Sequence, residues 1–221
     1  MRINKFVALT TGMSRRKADE LVESGRILVN NVPAAAGSKI TSTDSVVLDG
    51  SMLRLPEIQT IMLNKPVGYV VSRDGQGSKT IYDLLPKELH ALKPIGRLDK
   101  DSSGLLLLTN DGNLANELTH PSHEKGKIYE IVLDKPLSPG DMKKIQAGIT
   151  LDDGPSALRL QGLKKNWTVT MSEGRNRQIR RTFASCGYTV IKLHRIQFGD
   201  YKLIEQPLGS FTTAKGLIQE V

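Results

Sequence analysis

The chain has 221 residues, a formal net charge of +8 and a sequence pI of about 9.6. Hydrophobic residues make up 38% and charged residues 24%, which suffices for a buried core and excludes a disordered or low-complexity protein. Cys186 is the lone cysteine, which excludes an internal disulfide and a cysteine-built zinc site, and the longest strongly apolar run, residues 105–108, is far short of the roughly 20 residues a membrane helix needs. The apolar stretch at residues 6–9 is too short for the core of a secretion signal, so a cytoplasmic protein is expected, and the basic balance favours nucleic acid over membrane as partner.

In chain order, Ile3, Phe6, Val7 and Leu9 predict a short amphipathic helix. Ser14 is placed to cap a second helix with Leu21 and Val22 on its apolar face, and Gly25 is placed to end it. Short strands follow at 27–29 and 46–48, punctuated by Asn30-Asn31 and Asp49-Gly50 turns. Residues 1–50 therefore read as a small separate unit, 51–59 with Pro56 as a link, and 60–221 as a second, larger domain. In that domain strands are expected at 60–64, 68–72, 104–109, 127–133, 157–160, 167–172 and 188–193, with helices at 113–119, 138–147 and 176–186. Strands outnumber helices without a regular alternation, which predicts an α+β fold on a mainly antiparallel sheet with flanking helices.

The basic residues are not spread evenly. Arg15, Arg16 and Lys17 crowd the start of the second helix and Arg26 follows its end. Cations at a helix N-terminus oppose its dipole, so they read either as a solvated face or as a phosphate grip shared with the backbone N–H groups. The N-terminal stretch MRINKFVALTTGMSRRKADELVESGRILVNN resembles the small RNA-binding module first described in a ribosomal small-subunit protein. The resemblance implies an αL-type motif that holds structured RNA through its shape and phosphates.

Two stretches of the larger domain carry candidate chemistry. In GRLDKDSSGLLLLTNDG, Asp111 before Gly112 reads as a turn residue and Asp101 as a loop or capping residue. Asp99 follows apolar Leu98 with Arg97 two positions earlier, which leaves two readings: a structural ion pair, or a partly desolvated catalytic carboxylate kept ionised by a cation. Between Glu173 and Arg195 six Lys or Arg stand against one acid. Ile179, Phe183 and Cys186 share one helical side, which leaves Arg175, Arg177, Arg180 and Arg181 elsewhere, for phosphate or RNA. His120 and His123 have a ligand-like spacing but no partner cluster, and no phosphate-binding or dinucleotide fingerprint occurs, so neither metal nor cofactor is expected.

Together GRLDKDSSGLLLLTNDG, HPSHEKGKIYEI and EGRNRQIRRTFASCGYTVIKLHR resemble the bacterial ribosomal pseudouridine synthases of the RsuA-like branch, over nearly the whole chain. The resemblance implies isomerisation of uridine to pseudouridine in ribosomal RNA; nothing in the sequence points to an obligate dimer, so a monomer is expected. The nucleophilic aspartate falls on Asp99, the active-site tyrosine on Tyr129, and the basic partner of the aspartate on Arg180, with Arg175 as the alternative. Leu193 would pack against the site, and Arg97 and Lys127 would line the base pocket. Thr182 stands where the pattern more usually has methionine. The stretch LDDGP at 151–155 and the arginine-rich 176–181 lean toward large-subunit rRNA. The alternative is a non-catalytic rRNA-binding or assembly protein of the same fold. A glycosidic-bond hydrolase would need a second acid, for which Glu130 and Glu173 are poorly placed.

Overall fold

The computed structural model describes residues 1–214, which form two compact units, residues 1–58 and 59 onward. In the first, α1 (Ile3–Thr11) and α2 (Arg15–Glu23) lean on a four-stranded antiparallel sheet of β1 (Ile27–Val29), β2 (Val32–Pro33), β3 (Val46–Leu48) and β4 (Ser51–Met52), in the order β2-β1-β3-β4. The Ser14 side chain accepts the Lys17 N–H at 3.2 Å and so starts α2. Ile3, Phe6, Val7, Leu21, Val22 and Ile27 fill a core that belongs to this unit alone. Asn30 and Asn31, then Asp49 and Gly50, take positive φ in the tight turns, and each turn returns the chain as an added strand. Ser51 and Met52, expected in the link, are thus paired strand residues.

The larger unit is built on a nine-stranded sheet. Its strands are β5 (Thr60–Lys65), β6 (Lys93–Pro94), β7 (Ser103–Thr109), β8 (Lys127–Leu133), β11 (Arg159–Leu163), β12 (Asn166–Met171), β13 (Val190–Phe198), β14 (Tyr201–Lys202) and β15 (Phe211–Thr213). The order is β11-β12-β8-β13-β7-β5-β15, with β14 on β13 and β6 on β7. A separate hairpin pairs β9 (Ile149–Leu151) with β10 (Gly154–Ser156). Within the large sheet only β13 and β7 run parallel, so the sheet is mixed and mostly antiparallel. Helices α3 (Gly112–Thr119), α4 (Pro139–Ala147) and α5 (Gln178–Ser185) flank it. The main core packs Ile61, Leu63, Leu106 and Leu108 with Phe183 and Val169, while Leu105 and Leu107 face a second cluster with Leu118 and Phe198. This two-faced burial explains the unbroken Leu run of β7, all seven residues of which are buried.

The expected strand at 68–72 is absent. Gly68 turns at φ +91°, and Val70 makes only a single bridge to Thr80, so no ladder forms there. Short 3-10 helices at Ile81–Leu84 and Lys87–Ala91 follow instead. Residues 215–221 of the expected domain lie outside the described residues.

Candidate active site

The segment carrying Asp99 is an irregular loop that leads into β7. It is held from below by Lys65, the last residue of β5. That lysine is fully buried, and its Nζ donates to the carbonyls of Pro66 (3.1 Å), Asp99 (3.1 Å) and Ser102 (2.8 Å). Burial pushes the ammonium down to about 8, while the carboxylates of Asp99 and Asp101 act the other way. The Asp99 backbone is thereby fixed, and its carboxylate, 35% exposed, faces out toward Arg177, whose Nη1 lies 3.7 Å away.

Arg177 occupies the N-cap of α5 in the left-handed conformation, φ +46°. That turn aims its guanidinium at the Asp99 loop, where both Nη atoms also donate to the Asp101 carboxylate at 2.9 Å. Arg180, expected to pair with Asp99, sits in the first turn of α5 and faces β13 instead. It donates to the Val190 carbonyl at 2.6 Å and the Asp101 carbonyl at 2.8 Å, with Nε 3.3 Å from the Asp101 carboxylate. The ion pair to Asp99 is therefore made by Arg177, and Asp101 is the bridge between the two arginines. The Arg177 hydrogen bond holds the Asp101 carboxyl below the usual range, and burial lowers Arg180.

The alternative partner, Arg175, is engaged elsewhere. It binds the Asp153 carboxylate at 2.8 Å and the Pro155 carbonyl at 2.6 Å, while Arg181 binds the other Asp153 oxygen at 2.6 Å. Asp153 lies in the β9–β10 turn, so this hairpin is stapled to the entrance of α5. Beneath, buried Gln178 donates to Ser156 Oγ at 3.1 Å, and Ser156 and Thr182 share a hydrogen bond at 2.8 Å. The unusual Thr182 is thus satisfied by a matching hydroxyl and by the Gln178 carbonyl at 2.9 Å.

Asp99, Arg175, Arg177 and Gln178 border a cavity of about 800 Å³, within the size range of small-molecule sites. Tyr129 of β8 and Leu193 of β13 are both buried and line it, as do Lys127 and exposed Arg97. Arg195 lines it as well; it is 2% exposed and directly opposite Tyr129 across the β13–β8 ladder. Asp99, Tyr129, Leu193, Lys127, Arg97 and Arg177 thus line one cavity, whereas Arg180 does not.

Residues 59–185 match the RNA pseudouridylate synthase family, and residues 1–46 match the S4 domain. The chain belongs to the RNA pseudouridylate synthase family. It is 39% identical over 208 residues to ribosomal large subunit pseudouridine synthase B of Bacillus subtilis (strain 168), covering 89% of this chain and 85% of that protein. It is 36% identical over 213 residues to an uncharacterized RNA pseudouridine synthase of Aquifex aeolicus (strain VF5), covering 92% and 86%. Among solved structures it is similar to a pseudouridylate synthase, with 33% identity, a TM-score of 0.69 and coverage of 96% of this chain and 95% of that one.

The synthase carries Lys65 and Arg195 in places that sequence reading passed over. The string TIMLNKP hides Lys65 at the end of an apolar strand; the signal available was a lysine with no exposed position to occupy. Arg195 closes a dense basic run whose charge reads as meant for phosphate or RNA, which masks its burial. In the S4 unit Arg15, Arg16, Lys17 and Arg26 are all exposed. Arg15 donates to Asn4 at 3.1 Å, Lys17 pairs with Glu20 at 2.6 Å, and Arg26 is held by Asp49. Arg16 makes no ion pair among the described residues. No helix among the described residues is long and apolar enough to cross a membrane.

Proposed function

We propose that the enzyme converts a uridine of large-subunit ribosomal RNA to pseudouridine as a cytoplasmic monomer, with the Asp99 carboxylate as covalent nucleophile. The observation that carries this reading is the double hold on Asp99: a buried lysine grips its backbone, and Arg177 stands 3.7 Å from its carboxylate at the edge of the cavity. Such a carboxylate is held in place with its oxygens still open to the cavity, which suits a nucleophile. The large-subunit target rests on the names of the relatives together with the LDDGP and arginine-rich stretches.

To reach the cavity the target uridine leaves its stack, at a cost of a few kcal/mol. The Tyr129 ring offsets part of that by stacking on the base, with Leu193 packed behind. Arg180 acts through Asp101, holding the loop rather than the carboxylate. Lys127 and Arg97 line the pocket. Arg175, Arg177 and Arg181, with Arg15, Arg16, Lys17 and Arg26 of the S4 unit, meet RNA phosphates.

The test is tritium release from ribosomal RNA labelled at uracil carbon 5, on naked rRNA and on partly assembled subunits. Wild type is expected to release tritium, Asp99→Asn none, and Asp101→Asn a reduced amount. Release by Asp99→Asn at the wild-type rate would remove Asp99 from the chemistry, and product confined to small-subunit rRNA would overturn the target.

A further inference from the structure

We infer that Arg195 is a catalytic residue: its guanidinium, on the inner wall of the cavity, binds the extruded uracil ring and neutralises the negative charge that ring carries while detached from the sugar. The inference rests on the reading that this cavity receives the uridine.

Four observations carry it. Arg195 is 2% exposed, yet it makes no ion pair, and its Nη2 has no hydrogen-bond partner among the described residues. A buried cation left without a counterion costs several kcal/mol, and a residue such as methionine would fill the same space without that penalty. Its position is pinned twice: Nε donates to the Leu105 carbonyl at 2.8 Å, and the guanidinium lies 4.9 Å over the Phe198 ring. The backbone is pinned as well. Gly104 of β7 stands opposite Arg195, and a Cβ there would fall 2.2 Å from the Arg195 carbonyl oxygen, so only glycine permits the approach. Finally, Arg195 and Tyr129 are directly opposite on neighbouring strands and so share a face, both lining the cavity. A second cation, the Lys127 ammonium, lies 5.0 Å over the same Phe198 ring. The cavity wall therefore holds two positive groups with no ion-paired carboxylate, while the tyrosine proposed to stack on the base stands beside one of them.

The chemistry needs such a group. When the C1′–N1 bond breaks, its electron pair stays on uracil and the sugar carbon is taken by the carboxylate. The ring turns, C5 displaces the carboxylate from C1′, and the proton lost at C5 is made up at N1. If the carboxylate instead adds to carbon 6 of the ring, the charge sits on the ring as an enolate. In both routes uracil is anionic between the two bonds to sugar. A guanidinium fixed in advance, out of water, stabilises that anion without transferring a proton.

The test uses the full chain, Arg195→Met and Arg195→Lys, and two rRNA transcripts, one with uridine and one with 5-fluorouridine. Fluorine withdraws charge from the ring, so a variant lacking the cation should suffer less on the fluorinated base. Loss of starting nucleoside is followed under single turnover by mass spectrometry, since carbon 5 of the fluorinated base has no proton to lose. On uridine, Arg195→Met is expected to be slowed about 100-fold or more with little change in KM, and on fluorouridine by roughly a tenth of that factor. Arg195→Lys, which keeps a charge, should fall between, and it serves alone if circular dichroism shows that Arg195→Met does not fold. An equal loss on both transcripts means that Arg195 only supports the sheet, and overturns the inference. Asp99→Asn run alongside separates this from failure of the nucleophile reading: that variant should be inactive on both transcripts.

Discussion

Replacing Lys65 with methionine should damage catalysis far more than stability. At neutral pH a lysine lowered from 10.5 to about 8 by burial carries roughly 3 kcal/mol of unfavourable charge burial into the folded state. Methionine removes that burden. It also deprives the Pro66 and Ser102 carbonyls of their donor, at about 1–3 kcal/mol each, while the Asp99 carbonyl keeps the Ser102 N–H at 3.1 Å. The two effects nearly cancel, leaving a net change between nothing and about 3 kcal/mol, or a fall in Tm of at most about 12 °C. The Asp99 loop, however, loses its anchor, and a misplacement of about 1 Å costs on the order of 100-fold in rate. Urea denaturation and single-turnover tritium release on the same preparation give both numbers. The sign with pH follows from the direction of the shift. Between about 8 and 10.5 the unfolded chain holds the lysine proton and the folded one does not, so this group favours folding increasingly as pH rises. Wild type should therefore gain about 2 kcal/mol relative to Lys65→Met between pH 7 and 9.5. A folded Lys65→Met with wild-type turnover would refute the anchoring role, and a stability difference flat with pH would refute the buried charge.

Gly104→Ala should destabilise by about 3 kcal/mol or more, because a Cβ would fall 2.2 Å from the Arg195 carbonyl oxygen at a backbone φ of +105°; a urea midpoint at the wild-type value would show that β7 and β13 can separate cheaply. Residues 59–221 expressed alone should fold, since their cores share no residue with that of the first unit, and should bind rRNA more weakly in a filter-binding assay; a truncated protein without cooperative unfolding would count against two independent units.

The legible parts of the fold were those set by local chemistry. Ser14 and Ser138 cap the helices that follow them, and Gly148 and Gly187 follow theirs with positive φ, whereas Asp111, read as a turn residue, is the N-cap of α3. What pairs at long range was not legible. β15 joins β5 across some 150 residues of chain, and the apolar residues near Val70 look like a strand although no neighbour completes a ladder. The site divides the same way. Asp99, Tyr129 and Leu193, named together from their motifs, line one cavity. Which arginine meets Asp99 could not be read from the motifs, because it depends on the left-handed backbone of Arg177, and any of the neighbouring arginines satisfies the pattern. Lys65 and Arg195 were hidden for a different reason: basic residues are read as surface by default, and only the surrounding sheet shows that these two are buried.

The arginines around α5, proposed above to meet RNA phosphates, are already occupied. Asp101 binds Arg177 and Arg180, and Asp153 binds Arg175 and Arg181. A phosphate arriving at any of them must exchange with a carboxylate instead of filling an open site. Each exchange frees an acid that then repels the backbone beside it, so a passing polyanion gains little here. An RNA whose shape reaches several of these arginines at once gains more, and part of the electrostatic attraction is thereby converted into discrimination. Because much of the charge is matched internally before binding, fewer counterions leave on association, and affinity through this face should fall less steeply with salt than a count of its arginines implies.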